Sequence, residues 1–403
     1  KKSNSVYEEE SKPKVVKHKS MLSMNLEQTA GAGDYKTVTQ SSWPTEGYKF
    51  NAELSRCENG STLSWDDTKK AVIVSGNLSD KCYVYFDIYQ PTLAEYIKSQ
   101  YTGTQGENNI YYHDSDLANG AGDNSYRYAG ANPNNFVCFG SDTSPCPTDN
   151  LYRIIGVFGE GYHGVTGKQL VKLIKYDYMT TDELGTDGDY SQTYKEWGMD
   201  STYKGTYGDG ERIGVYYWNY KATGSATNTW STSLLNKTNL NTNFINNIGT
   251  IWANKIATVT WKVGGNTYAN ISDVVPATTY QNEIVNPVTT NTTDNATTYS
   301  AKIGLMYVSD YGFAASPDAW TLTMSSYNNT TATNNNWMYM GLYEWTISRS
   351  ADRSSRAFGV DSDGRVYDHI VDRYIGVRAS FNLESSVSYV SGSGSMSDPI
   401  VIN

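Results

Sequence analysis

The chain has 403 residues, a formal net charge of −10 and 18% charged residues, with 34 Tyr, 35 Gly and 10 Trp. The acidic balance excludes a nucleic-acid partner, whose phosphates need clustered Lys and Arg, and the aromatic content excludes disorder throughout. The length suits two or three domains with cores of their own. No uncharged apolar run nears the roughly 18 residues of a membrane span, and no signal-peptide h-region is visible.

Residues 1–40 read as a polar, charge-mixed linker or N-terminal arm, with Glu8-Glu-Glu10 and the basic Lys12, Lys14, Lys17 and Lys19. Residues 41–88 alternate in short runs, among them Tyr48-Lys-Phe50, Thr62-Leu-Ser-Trp65, Ala71-Val-Ile-Val74 and Cys82-Tyr-Val-Tyr-Phe86. They predict a small sandwich-like β module. Asp66-Asp-Thr-Lys69 is a hairpin turn, so Cys57 and Cys82, on either side of that hairpin, are placed to pair. Cys138 and Cys146 bracket a polar turn and predict a second, small disulfide-closed loop. Neither pair has the spacing of zinc ligands. Two disulfides, few Lys and Arg, and many Asn, Thr, Ser and Tyr together predict an extracellular protein.

From Pro91 a helix is expected over Thr92–Ser99, with Leu93, Tyr96 and Ile97 on one face. Residues 89–403 then show no obvious linker. Leu151–Phe158 and Gln169–Lys175 predict an antiparallel pair joined by a Gly-rich connection, and Ser233-Leu-Leu and Phe244–Ile248 suit short helices. The Asn- and Thr-rich stretch 221–300 reads as long surface loops. Further core pieces are expected at Ala301–Val308, Trp337–Gly341 and Tyr343–Ile347.

The usual catalytic signatures are absent: no nucleophile elbow, no phosphate-binding loop ending in Gly-Lys-Ser/Thr, no His-Glu-x-x-His and no Cys-His pairing. His18, His113, His163 and His369 offer no metal-ligand spacing. Asp361-Ser-Asp363-Gly364 lacks the downstream bidentate Glu of a calcium loop and reads as a hairpin turn. No enzyme, metal or cofactor is expected.

The composition breaks in one window, 344–383. No Asn occurs from Trp337 to Phe381, and six of the ten Arg fall between Arg349 and Arg378. An apolar skeleton (Ala357, Phe358, Val360, Val366, Ile370, Val371, Val377) carries clustered Arg, Tyr, Asp, His and Ser. A regular frame bearing guanidinium and aromatic anchors is the composition of a binding surface.

Met340-Gly-Leu-Tyr-Glu-Trp-Thr346, the Arg-rich stretch after it and Gly376-Val-Arg378 resemble the C-terminal part of a C-type-lectin-like fold. The resemblance is to the formylglycine-generating-enzyme branch, with its Glu-Trp-Thr run and closing Gly-Phe-Arg, which includes the variable proteins of diversity-generating retroelements. More loosely, Tyr101-Thr-Gly-Thr-Gln-Gly106, Asp149-Asn-Leu-Tyr-Arg-Ile-Ile155 and Ile303-Gly-Leu-Met-Tyr-Val-Ser-Asp310 are similar to exported proteins of gut Firmicutes and related bacteria. The resemblance implies an α+β chain in which the small disulfide-closed β module is followed by a C-type-lectin-like ligand-binding domain over 89–403, with long Asn/Thr-rich insertions. Trp345 and Arg378 would lock the frame. The variable contacts would be Asp352, Arg353, Ser354, Ser355, Arg356, Phe358, Asp361, Arg365, Tyr367, Asp368, His369, Asp372, Arg373 and Tyr374.

Adenine-directed mutagenesis in such proteins converts Asn codons into those for residues such as Asp, His, Tyr, Ser and Arg, and the Asn depletion fits a diversified copy. Formylglycine generation is excluded from the expectation because no cysteine follows Cys146, and calcium-dependent sugar binding because Glu-Pro-Asn, Gln-Pro-Asp and Trp-Asn-Asp are all absent. The expected partner is a protein or glycan on another cell or surface, with a membrane or cell-wall anchor possible. A pilus- or stalk-type structural subunit, or an adhesin of fixed specificity, is the alternative.

Overall fold

The computed structural model describes residues 22–187, 203–208, 211, 213–288 and 296–403, together with the backbone of Asn4–Val6 and Gln192–Tyr194. The fold is mixed α+β, mostly sheet with few helices, and divides into two compact units, Lys1–Gln90 and Pro91–Asn403.

Among the described residues the first unit has eight strands: β1 (Asn4–Val6), β2 (Leu22–Glu27), β3 (Tyr35–Val38), β4 (Tyr48–Phe50), β5 (Arg56–Cys57), β6 (Thr62–Asp66), β7 (Ala71–Ser75) and β8 (Cys82–Ile88). One sheet runs β1-β7-β6 and the other β3-β2-β8-β4, with β5 also on β8. The predicted β6–β7 hairpin is present. In β8 the period-2 alternation buries Cys82, Val84 and Phe86. The Phe86 ring meets Trp43, Phe50 and Trp65 at centroid distances of 5.7–5.9 Å. Cys57 lies opposite Cys82 across β5 and β8 and is bonded to it.

The linker or N-terminal arm expected over 1–40 is corrected where it is described: Asn4–Val6 pairs with β7, and Leu22–Glu27 and Tyr35–Val38 are strands of the other sheet. β2 lies parallel to β8 in the middle of its sheet, and Met24 and Leu26 enter the core. Its polar residues are buried too, but bonded to backbone. Asn25 Nδ2 donates to the Val84 carbonyl, and Glu27 Oε2 accepts from Ile88 N–H at 2.9 Å. The acidic and basic runs of residues 8–19, and His18, lie outside the described residues.

In the second unit the expected helix is Leu93–Gln100, capped by the Thr92 hydroxyl on Glu95 N–H. A seven-stranded sheet follows from β9 (Ile110–Tyr112), β10 (Tyr126–Tyr128), β11 (Phe136–Cys138), β12 (Leu151–Phe158), β13 (Leu170–Lys175), β18 (Ile303–Gly304) and β23 (Ser380–Asn382), in the order β18-β23-β13-β12-β10-β9 with β11 also on β12. β12 and β13 form the predicted antiparallel pair, and every residue of both is buried. Their register shifts at Gly156, where a Cβ would stand 2.2 Å from the Tyr126 carbonyl oxygen. Cys138 and Cys146 are bonded, and two disulfides point to an oxidising, extracellular environment. Among the described residues no helix is long and apolar enough to cross a membrane.

The expectation of surface loops over 221–300 is corrected in its described residues, which supply a large share of the core. Trp230, Leu235, Leu240, Phe244, Trp261 and Ile271 are buried, and so are Asn228, Asn236, Asn239 and Asn266. Two of these amides replace water with backbone: Asn236 Nδ2 donates to the Trp230 carbonyl and Asn239 Nδ2 to that of Leu184.

From the same stretch Glu283 is brought into the core, where it accepts from Val308 N–H, Ser309 N–H and the Ser348 hydroxyl. Burial raises its carboxyl from about 4.5 to about 7, against the pull of the Ser348 and Ser309 donors. A carboxyl raised on folding contributes stability that is full below its unfolded range and declines as pH climbs through the folded value. Thermal unfolding from pH 4.5 to 8 should therefore show the wild type losing roughly 3 kcal/mol relative to Glu283→Gln over that interval. Parallel profiles for the two proteins would refute this.

Candidate functional site

The second sheet of this unit carries the compositionally distinct window. Its strands are β14 (Gln192–Tyr194), β15 (Ile213–Tyr216), β19 (Glu344–Arg349), β20 (Arg356–Val360), β21 (Val366–Ile370) and β22 (Ile375–Gly376), in the order β14-β15-β22-β19-β20-β21. β20 and β21 form an antiparallel hairpin at its edge. The turn is the predicted one: Asp361 N–H donates to the Arg365 carbonyl, Gly364 N–H to that of Asp361, and Gly364 takes φ +97°.

The frame beneath the hairpin is closed. Trp345 is fully buried, with Nε1 donating 2.8 Å to the Tyr216 carbonyl. Arg378 Nε donates to both oxygens of Glu344 at 2.9 Å, and Nη2 donates to the Met338 carbonyl at 2.6 Å. The Glu-Trp-Thr and Gly-Val-Arg segments thus meet in one buried ion pair.

Above this frame lies an open concavity of about 900 Å³. Nine of the fourteen expected contact residues line it: Arg356, Asp361, Arg365, Tyr367, Asp368, His369, Asp372, Arg373 and Tyr374. The lining also includes Tyr343 and Ile370, which composition had not marked as contacts. Composition places Ile370 in the apolar skeleton, yet it is 47% exposed while Val371 beside it is fully buried.

The lining residues divide by exposure. Arg365 and Asp372 are exposed, and Arg356, Tyr367, Arg373 and Tyr374 are partly so. Asp361, Asp368 and His369 are buried beneath them. Asp368 accepts from Arg353 Nη1 at 3.1 Å and Arg356 Nη1 at 3.4 Å. The His369 ring bridges Asp361 Oδ1, 2.6 Å from Nε2, and Arg373 Nη1, 2.9 Å from Nδ1. Since a guanidinium can only donate, Nδ1 accepts here and Nε2–H faces Asp361. Buried carboxylates and an imidazole therefore aim the guanidinium groups, a charge-assisted arrangement that holds Arg in one orientation.

The aromatic residues are braced from outside the window. Tyr374 stacks on Tyr217 at 4.3 Å, Tyr367 meets Tyr268 edge to face at 5.5 Å, and Arg353 lies over Tyr268 at 4.1 Å. The Tyr268 hydroxyl, within hydrogen-bonding distance, raises the Tyr367 phenol above its ordinary range, so it stays a neutral donor and acceptor. Nothing in the sequence joins residues 217 and 268 to this window, because the contacts span 85 to 157 residues and carry no local pattern.

Five expected contacts lie off the concavity. Phe358 is corrected outright: it is fully buried in the core and cannot touch a ligand. Asp352 accepts from Tyr268 N–H and the Ser350 hydroxyl. The Ser354 carbonyl accepts from Asn228 N–H, and that of Ser355 from Val371 N–H. Arg353 contributes through Asp368 and Tyr268. Among the described residues no cluster of three or more His, Cys, Asp or Glu is arranged to hold a metal ion. His113 is buried, and burial lowers its imidazole to about 3, while burial also lowers that of His163.

No protein family, curated protein or solved structure matches the chain.

Proposed function

We propose that this chain is an exported or surface-displayed binding protein, with no enzymatic activity, that recognises a protein or glycan through the concavity on the β20–β21 hairpin. The reading takes residues 89–403 as a C-type-lectin-like domain of the formylglycine-generating-enzyme type, and the window 344–383 as the variable region of a diversity-generating retroelement protein. The observation that carries it is the division of labour in that window. Its apolar residues other than Ile370, and Arg378, are buried, while Arg356, Arg365, Tyr367, Arg373 and Tyr374 converge on one open concavity. Changes at such exposed positions leave the core untouched, as a diversified surface requires.

Deep sequencing of the encoding locus in its natural population tests the diversification. Substitutions should concentrate in codons 352–374, beside a reverse-transcriptase gene and a template copy that retains adenines. Uniform codons without a template would leave an adhesin of fixed specificity or a structural surface subunit. The binding claim has its own test in the triple variant Arg365→Ala, Arg373→Ala, Tyr374→Ala. Labelled protein carrying it should stain cells of the native community about tenfold or more weakly than wild type. Equal staining by a folded triple variant would sink the assignment of the site.

A further inference from the structure

A second cluster in the same unit has a different chemistry. Lys172, in the middle of β13, is completely buried, and its Nζ lies 2.7 Å from Asp310 Oδ2. Asp310 sits in the first turn of the helix Val308–Ala314, where Tyr307 N–H donates 2.9 Å to the same Oδ2. The Tyr162 hydroxyl closes a ring between the two side chains: Lys172 Nζ donates to it at 2.6 Å, and it donates to Asp310 Oδ1 at 2.6 Å. Arg127 Nη1 stands 3.6 Å from Oδ1, and Arg127 is independently paired with Asp123 at 3.0 Å. The walls are aromatic, with the rings of Tyr307, Trp261 and Tyr162 centred 4.3, 4.8 and 4.9 Å from Nζ.

We propose that Lys172 and Asp310 condense spontaneously into an intramolecular isopeptide bond, so that the mature protein is covalently cross-linked between β13 and the helix Val308–Ala314. The ring of hydrogen bonds supplies each step. One ammonium proton passes directly to Oδ2, 2.7 Å away, which leaves a neutral amine beside a neutral acid whose carbonyl oxygen is Oδ1. The Nζ lone pair forms the Nζ–Cγ bond, and the developing charge on Oδ1 is met by the Tyr162 hydroxyl and the Arg127 guanidinium. The Cγ–Oδ2 bond then breaks. Oδ2 leaves as water, carrying two of the three ammonium protons, and the third remains on the amide nitrogen. No oxidant, reductant or co-reactant is needed.

Three features favour condensation over a lasting ion pair. Contact between the reacting groups is enforced by strand and helix, which replaces a bimolecular encounter. The site excludes water, so two buried charges that are costly to hold become one neutral amide. Burial already draws the Lys172 ammonium below the ordinary lysine range, against the pull of Asp310. The Arg127–Asp123 pair remains afterwards, and the cluster stays electrically balanced.

The intact mass of the purified full-length chain, with both disulfides formed, decides the matter. It should be one water lighter than the sequence requires. After digestion a branched peptide should join Lys172 to Asp310, with no tryptic cleavage after Lys172. Lys172→Met and Asp310→Ala should each restore the full mass, and Tyr162→Phe should slow formation about tenfold or more by removing the hydroxyl that meets the developing charge on Oδ1. Should a variant fail to fold, the wild-type mass and peptide map still decide. A wild-type chain of full mass, cleavage after Lys172, or a water loss mapped to any other residue would overturn the proposal.

Discussion

Arg378→Met should destabilise the C-terminal unit by about 3–5 kcal/mol, because it removes one partner of a buried ion pair and leaves the other. Methionine keeps most of the stem volume, which isolates the loss of the guanidinium from the opening of a cavity. Three things are lost together: both contacts to Glu344, the bond to the Met338 carbonyl, and the longer ones to the carbonyls of Lys175 and Tyr176 at 3.4 Å. For a unit of this size the melting temperature should fall by roughly 5–8 °C.

The loss should also depend on pH. Burial raises the Glu344 carboxyl to about 7, with Arg378 pulling the other way. Without Arg378 the carboxyl rises further, so the variant holds its proton more tightly when folded than the wild type does. Its deficit should then be larger at pH 8 than at pH 5.5. Adding Glu344→Leu to Arg378→Met should recover much of the stability, since the uncompensated group disappears with its partner. A melting temperature within about 2 °C of wild type for the single variant would show that the pair does not hold the frame.

The contrast between this ion pair and its surroundings shows what kinds of contact a sequence exposes. Period-2 runs joined by short turns were legible, as in β6–β7 and β12–β13, because both partners and the turn lie within one short stretch. The helix after Pro91 was legible from that proline and from its apolar face, though the structure makes Thr92 its cap and not its first residue. Both disulfides followed from what lies between the cysteines. The strand Leu22–Glu27 was not legible. Its pairing with β8 is parallel and sixty residues away, so no turn announces it; β3, its antiparallel partner across 28–34, is largely exposed, and two of the strand's buried residues are the polar Asn25 and Glu27.

Asparagine misled in the same way. Composition treats it as a solvent-facing residue, but an amide bonded to carbonyls can be buried, as Asn236 and Asn239 are. In the window itself, residue types identified the region, and pairing decided roles within it. Asp361, Asp368 and His369 carry the chemistry of contacts and act from below, on Arg353, Arg356, Arg365 and Arg373.

Asn228 is where those two lessons meet, and its replacement should have the second large effect. It is 1% exposed, its Nδ2 lies 2.7, 2.8 and 3.0 Å from the carbonyl oxygens of Ser350, Arg356 and Arg353, and its backbone N–H donates 2.7 Å to that of Ser354. One side chain from the Asn-rich stretch therefore fixes the loop that delivers Arg353 and Arg356 to Asp368. Asn228→Ala strips donors from several carbonyls at once and should cost about 2–4 kcal/mol. The backbone bond to Ser354 survives, so the expected change is local loosening. Amide exchange should accelerate at residues 350–356, while β12 and β13 keep their protection. Because Arg353 and Arg356 lose their fixed approach to Asp368, staining of native cells should weaken in the same variant, although Asn228 does not line the concavity. Unchanged exchange in 350–356 would mean that the hairpin holds its arginines without this support. Loosened exchange with undiminished staining would place recognition on Tyr367, Arg373 and Tyr374 instead.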